Sequence, residues 1–126
     1  MRNGVVAFAT RGVQMTSRHY IDQIKSYLSQ QFSLGEDQVS GMLPGFISTL
    51  SAHMTNLEKA LASGDLEALG KSGHTIKGAF LNLGLTDCAE IALQIERRCK
   101  EGDLTADYAR LVADLREKID IIIDNP

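Results

Sequence analysis

The chain has 126 residues, of which 44% are hydrophobic and 23% are charged, and its formal net charge is −3. This length suits one ordinary domain, which can bury its own core without metal or disulfide staples. Thirteen basic against sixteen acidic residues argue against a nucleic-acid-binding surface, because such a surface needs a basic surplus or stripe. No run approaches the roughly 18 apolar residues of a membrane span, so we expect no contact with a membrane.

Residues 1–16 are interpreted as a peripheral segment that precedes a single helical domain over residues 17–126. The apolar stretch at 5–9 is too short for a secretory signal. Cys88 and Cys99 are eleven residues apart, which corresponds to about 16 Å of rise if one helix carries both, too far for a disulfide. We therefore expect core thiols and a cytoplasmic protein.

Apolar residues recur at steps of three and four along most of the chain, which predicts five helices. Their expected spans are 18–32, 36–62, 66–83, 87–100 and 104–123. Ser33 with Glu36 is predicted to form a capping box for the second helix, and Pro44 to kink that helix or to mark its true start. Gly64 and Asp65 suit the end of the second helix and the N-cap of the third.

Gly84 is predicted to end the third helix, and Asp87 with Glu90 to form a capping box for the fourth. Leu104 is expected on the apolar face of the fifth. The fold class is therefore all-α, since the only candidate strand is residues 5–8. Four long amphipathic helices with short connections predict an up-down antiparallel four-helix bundle, flanked or capped by the additional N-terminal helix.

A helical wheel separates two faces of the third helix. The predicted core face holds Leu69, Ile76, Phe80 and Leu83, and His74 lies nearly opposite them. The residues around the histidine on the wheel are Glu67, Lys71, Lys77, Gly78, Leu81 and Leu85. His74 is therefore expected to point to solvent rather than into the bundle.

The neighbours of His74 favour a site that a large partner approaches. Gly78, at the i+4 position, removes the side chain that would crowd the imidazole, at a cost of roughly 1 kcal/mol relative to alanine. Lys77 places a cation near any phosphoryl group bound to the ring. Leu81 and Leu85 add apolar surface and, with Lys71, form the expected docking patch.

The stretch HTIKGAFLNLG, residues 74–84, resembles the signature of histidine-containing phosphotransfer (HPt) domains of two-component phosphorelays. That signature has a histidine, Lys-Gly at the third and fourth places after it, a small residue next, and a glycine at the tenth. His74, Lys77, Gly78, Ala79 and Gly84 occupy these places. The similarity extends over about residues 40–122, through LEKALASGDLEALGKSGHTIKG on one side and CAEIALQIERRCKEGDL on the other.

The resemblance implies that His74 is phosphorylated, that Lys77 contacts the phosphoryl oxygens and that Gly78 gives the partner room. It further implies a monomeric carrier that exchanges phosphoryl groups with aspartates of response-regulator receiver domains, downstream of a sensor histidine kinase. The receiver would bring Mg²⁺, and this chain would hold no cofactor or metal of its own. Ala79 stands where serine is frequent in the family. No glycine-rich nucleotide loop accompanies the motif, so we expect a phosphocarrier rather than an enzyme with its own kinase domain.

Two other functions remain open on the sequence. One is a non-catalytic helical module that docks on a receiver or kinase without carrying phosphate. The other is a metal or haem site built from His19, His53 and His74, which the lack of close ligand spacing disfavours. Within the favoured hypothesis, Glu67 is a candidate to orient the other ring nitrogen of His74, although a solvated glutamate near a helix start is the simpler interpretation.

Overall fold

A computed structural model describes residues 16–123, all of its regular elements being helices. They are α1 (Ser17–Phe32), α2 (Glu36–Ser63), α3 (Leu66–Asn82), α4 (Thr86–Lys100) and α5 (Tyr108–Ile123). The all-α prediction is confirmed. The candidate strand at 5–8 and all but the last residue of the proposed peripheral segment lie outside the described residues. That last residue, Thr16, is the N-cap of α1, where its hydroxyl accepts a hydrogen bond from the backbone N–H of His19 at 3.2 Å.

Helices α2 to α5 close a ring around the core. α2 packs against α3 and α5, and α4 packs against the same two helices, with the most extensive contact between α3 and α4. α1 lies outside the ring against α2 and α5, which confirms the bundle with an additional N-terminal helix. The fully buried side chains at its centre include Leu50, Met54, Leu57, Ile76, Phe80, Ile95, Leu115 and Ile119. Burying one such side chain contributes roughly 1.5–3 kcal/mol to folding.

The boundary between α1 and α2 differs from the predicted capping box. Ser33 instead ends α1 in the left-handed conformation, with φ 54°, and its backbone N–H donates to the carbonyl of Ser29. α2 begins after Gly35, whose backbone N–H donates to the side-chain oxygen of Gln38 at 3.0 Å. The Ser33–Glu36 prediction is wrong because Ser33 belongs to the preceding helix. Pro44 lies within α2 and does not mark its start.

The turn between α2 and α3 matches the sequence prediction. Gly64 ends α2 with φ 73°, a conformation that glycine adopts at little cost. The carboxylate of Asp65 accepts hydrogen bonds from the backbone N–H groups of Glu67 and Ala68 at 3.0 and 3.3 Å. This N-cap fixes the start of the helix that carries His74.

The predicted capping box of α4 is wrong, because α4 begins one residue early, after Leu85. The carboxylate of Asp87 lies in the first turn, where it accepts hydrogen bonds from the backbone N–H of Cys88 at 2.9 Å and from the hydroxyl of Tyr20 at 3.3 Å. Burial and the nearby Asp87 carboxylate raise the pKa of Tyr20. Asp87 therefore joins α4 to α1 rather than capping α4.

The fifth helix begins four residues later than predicted. Asp103 turns the chain before it, accepting hydrogen bonds from the backbone N–H and the hydroxyl of Thr105 at 2.8 and 2.6 Å. The carboxylate of Asp107 then accepts from the backbone N–H of Arg110 at 3.0 Å. Leu104, expected on an apolar helix face, lies in this turn and is 84% exposed.

Both cysteines are buried free thiols. Burial raises the pKa of the Cys88 thiol to about 12 and also raises that of Cys99. Neither thiol therefore has the thiolate character that makes a cysteine reactive.

Candidate functional site

Two glycines of α3 allow α4 to approach closely beside His74. A Cβ placed on Gly70 would lie 3.0 Å from the Cβ of Cys99, and one on Gly73 would lie 3.3 Å from Ile95 Cγ2 and 3.4 Å from the backbone nitrogen of Glu96. The contact between the Cβ at position 73 and the nitrogen of Glu96 is with the α4 backbone, which cannot turn aside as a flexible side chain can. The close packing sets the Glu96 side chain beside the outward face of α3.

His74 is exposed, as the wheel predicts, with 67% of its side chain accessible. Its Nδ1 lies 2.9 Å from Oε2 of Glu96 on α4. An ionised carboxylate only accepts hydrogen bonds, so this contact places the proton of a neutral ring on Nδ1. Nε2 is then the nitrogen with the available lone pair.

The Glu96 carboxylate is itself held by Lys77. Lys77 Nζ lies 2.7 Å from Oε1 of Glu96, and the two side chains are 22% and 12% exposed. The hydrogen bond from Lys77 is the main cause that holds the pKa of Glu96 below its usual value, and the hydrogen bond from His74 adds to it. Lys77 thus keeps ionised the carboxylate that orients the histidine.

Gly78 leaves open space beside His74. Among residues 16–123, a Cβ at this position would meet no atom within 4 Å outside its own helical surroundings. Packing within that part of the chain therefore does not require a glycine here, in contrast to Gly70 and Gly73. One turn further along α3, Leu81 is 45% exposed and gives this side of His74 an apolar border.

Leu85 does not belong to the exposed surface, and its assignment to the docking patch is wrong. It is fully buried, because α3 ends at Asn82 and the helical wheel does not apply beyond that residue. Gly84 turns the chain with φ 73° and passes so close to Tyr27 that a Cβ would lie 2.5 Å from the ring. Leu85 consequently points into the core at the start of α4.

Glu67, the candidate to orient His74, pairs instead with Lys71 on the same helix, at 3.7 Å. The side chains of Glu67 and Lys71 are 79% and 78% exposed. Glu67 is thus a solvated glutamate near the start of α3, which is the simpler of the two interpretations. Sequence reasoning missed Glu96, since it considered only residues of the histidine helix. The signal that points to it is a carboxylate beside the apolar stripe of α4, opposite the small residues Gly70 and Gly73.

A groove of about 690 Å³ runs beside His74 between α3 and α4. Leu66, Gly70 and Cys99 are among its lining residues, together with Lys71 from α3 and Lys100 from α4. The surface around the ring thus combines an open apolar side, at Gly78 and Leu81, with a side that carries two lysines.

The three histidines lie on three different helices, α1, α2 and α3. His19 Nδ1 accepts a hydrogen bond from the backbone N–H of Thr16 at 3.2 Å. Within residues 16–123, no three histidine, cysteine or acidic side chains are grouped so as to hold a metal ion. None of the helices in that range has the length and apolar character needed to cross a membrane.

A comparison with models of protein families identifies one family. The sequence model described as Hpt domain matches residues 41–124. The crystal structure of histidine-containing phosphotransfer protein B from Pseudomonas aeruginosa PAO1 is similar, with a TM-score of 0.68 and 24% sequence identity. The alignment covers 80% of this chain and 84% of that chain, and likeness at this identity shows the fold. A comparison with curated proteins finds no match.

Proposed function

This chain belongs to the Hpt domain family, and we propose that it is a phosphorelay intermediate that carries a phosphoryl group on Nε2 of His74. The observation that carries the proposal is the exposed imidazole whose Nδ1 is held by Glu96 at 2.9 Å. The partners are receiver domains of response regulators and an upstream sensor histidine kinase, which supplies the phosphoryl group through a receiver aspartate. In this proposal the protein acts as a cytoplasmic monomer.

The transfer step follows from the tautomer of His74. The Nε2 lone pair attacks the phosphorus of an aspartyl phosphate, a bond forms between nitrogen and phosphorus, and the acyl phosphate bond breaks. The electron pair of that bond leaves with the aspartate carboxylate. The ring keeps its proton on Nδ1 and becomes cationic, and the Glu96 carboxylate stabilises this charge through the existing hydrogen bond. The reverse sequence returns the phosphoryl group to an aspartate.

Lys77 has two roles in this proposal. In the resting protein it holds Glu96 ionised at 2.7 Å. Once the ring carries a phosphoryl group, the same ammonium is close enough to the site for a side-chain rotation to bring it toward the phosphoryl oxygens, which attract lysine as a point charge. The receiver supplies Mg²⁺ and the acidic pocket, so this chain contributes the nucleophile and its positioning.

Gly78 and Leu81 give the partner its access. The open space at Gly78 admits the rim of a receiver active site to the ring. Exposed apolar surface at Leu81 offers area that becomes buried on docking. Lys71 remains part of the proposed docking surface, on the other side of the ring.

Label transfer tests the proposal. A receiver domain carrying radioactive aspartyl phosphate and Mg²⁺ is mixed with the wild-type chain and with His74→Gln. We expect wild type to acquire label that acid removes and base does not, and His74→Gln to acquire none. Label retained by His74→Gln would move the phosphorylated residue elsewhere. A wild-type chain that binds the receiver but never takes label would support the docking module instead.

A further inference from the structure

The Glu96 carboxylate lies among three cationic or potentially cationic groups rather than the two that the motif contains. Oε2 accepts from His74 Nδ1 at 2.9 Å and lies 3.9 Å from Nζ of Lys100, while Oε1 binds Lys77. Lys100 is the last residue of α4 and lies outside the stretch 74–84. The oxygen that orients the histidine is therefore also the oxygen nearest to the Lys100 ammonium.

The two lysines differ in how firmly they are held. Lys77 is 22% exposed and donates a short hydrogen bond to Glu96. Lys100 is 80% exposed, and its 3.9 Å contact is too long for a hydrogen bond. An ion pair with an exposed lysine and no hydrogen bond contributes little to stability, so Lys100 can exchange it for a stronger partner at small cost.

A phosphoryl group on His74 would be that stronger partner. It brings between one and two negative charges and three acceptor oxygens to the ring, beside a carboxylate that is already negative. The added charge calls for more than one cation, because Lys77, even when it turns toward the phosphoryl oxygens, is shared with the Glu96 carboxylate. Lys100 lines the groove that opens beside His74, and its long flexible stem allows the ammonium to follow the charge.

We propose that Lys100 is a second phosphoryl-contacting residue, which leaves Glu96 and binds the phosphoryl oxygens when His74 is phosphorylated. This inference rests on the proposed function. Lys71 also lines the groove, but its ammonium pairs with Glu67 at 3.7 Å, away from the carboxylate that holds the ring. Lys100 is thus the groove lysine whose ammonium starts beside the reacting histidine.

A purely structural role for Lys100 has a different signature. A cation in the last turn of a helix interacts favourably with the exposed carbonyl groups there. If that were its whole role, Lys100→Gln would slightly lower stability and leave the phosphorylated histidine unchanged. The measurement must therefore observe the phosphoryl group itself.

Phosphorus NMR provides that measurement. The purified full chain is phosphorylated with phosphoramidate, a small donor that loses ammonia as the phosphoryl group moves to the histidine, and the ³¹P shift is followed against pH. A nearby ammonium favours the doubly charged phosphoryl group, so Lys100→Gln should raise the midpoint of this titration by about 0.5 pH unit. The control is Arg98→Gln, which removes the same charge from the same turn but two positions away, on the opposite side of the helix.

The possible outcomes separate this inference from the function on which it rests. A raised midpoint in Lys100→Gln, with Arg98→Gln equal to wild type, supports the contact. Equal midpoints in all three proteins overturn it and leave the carrier function in place. Equal shifts in both variants also overturn it, since they indicate a general charge effect. If the phosphohistidine signal of wild type is no larger than that of His74→Gln, both the function and the inference fail.

Discussion

At the scale of single residues, the proposed transfer depends on the hydrogen bond between His74 on α3 and Glu96 on α4. Glu96→Gln keeps the size of the side chain and removes the charge that, in this proposal, balances the cationic phosphorylated ring. Hydrogen bonds to charged groups contribute about 1.5–3 kcal/mol, so we expect phosphotransfer from a receiver to slow by roughly ten- to hundredfold. The measurement is the single-turnover rate at saturating receiver. An unchanged rate would show that Glu96 does not assist the transfer.

The ionisation of Glu96 is also expected to make the stability of the protein depend on pH. The pKa of Glu96 is lowered in the folded protein from an ordinary value of 4.5, mainly by the hydrogen bond from Lys77. The stabilisation by the ionised carboxylate is therefore fully present above about pH 4.5 and is lost as the pH falls through the folded pKa. Urea unfolding should show wild type more stable than Glu96→Gln at neutral pH, with a difference that shrinks in acid. A difference that is constant or grows in acid would contradict this assignment.

A substitution at Gly78 is expected to change the access of a partner to His74 without destabilising the fold. The Cβ of Gly78→Gln meets no atom of residues 16–123 within 4 Å outside its own helical surroundings. Because glutamine also has a higher helix propensity than glycine, the free energy of unfolding should rise by roughly 0.5–1 kcal/mol. The new side chain covers the space beside His74, and transfer from a receiver should fall at least about tenfold. Labelling by phosphoramidate, a donor too small to need that space, is the internal control and should stay within about twofold. Equal loss with both donors would show that the substitution harms the histidine rather than the docking.

At the scale of elements, the packing of α3 against α4 places the site. Gly73→Ala and Gly78→Ala gain the same helix propensity, but only the first puts a methyl group against the α4 backbone, 3.4 Å from the nitrogen of Glu96. Overpacking costs about 1–3 kcal/mol, so Gly73→Ala should be less stable than Gly78→Ala by about that amount. Thermal or urea unfolding of the two variants checks this. Equal stabilities of the two variants would mean that α3 and α4 can move apart to admit the methyl group without loss of stability.

The elements also show where sequence reasoning succeeds and where it stops. The wheel of α3 places His74 outside and Phe80 inside, because both lie well within a regular helix. It fails for Leu85, since the helix ends at Asn82 and Gly84 redirects the chain. The capping boxes at Ser33 and Asp87 fail because the helix boundaries fall elsewhere. Ser33 ends α1 in the left-handed conformation, and α4 begins before Asp87, whose carboxylate accepts a hydrogen bond from the hydroxyl of Tyr20 on α1.

At the scale of the whole molecule, the ring of four helices is predictable from local spacing, but the pairing of helices is not. Glu96 stands 22 residues after His74, and nothing in their separation indicates a hydrogen bond. Their contact requires the close approach that Gly70 and Gly73 permit. The exposed position of His74 is therefore predictable from the sequence, whereas the carboxylate that orients its ring follows from the packing of α3 on α4.

The bundle as a whole acts in our account as a rigid support that presents one histidine to successive partners. Within residues 16–123 its regular elements are helices, and its two cysteines are buried thiols with raised pKa values, so neither thiol competes with His74 as a nucleophile. In the proposed relay the phosphoryl group passes through this chain and does not end there.

The most direct test is onward transfer. The chain is phosphorylated on His74, freed of its donor, and mixed with unphosphorylated receiver domains with and without Mg²⁺. We predict that with Mg²⁺ the acid-labile label leaves this chain and appears on a receiver aspartate, and that chelating the metal stops the transfer. A phosphorylated chain that keeps its label in the presence of every receiver from its own organism would contradict the account.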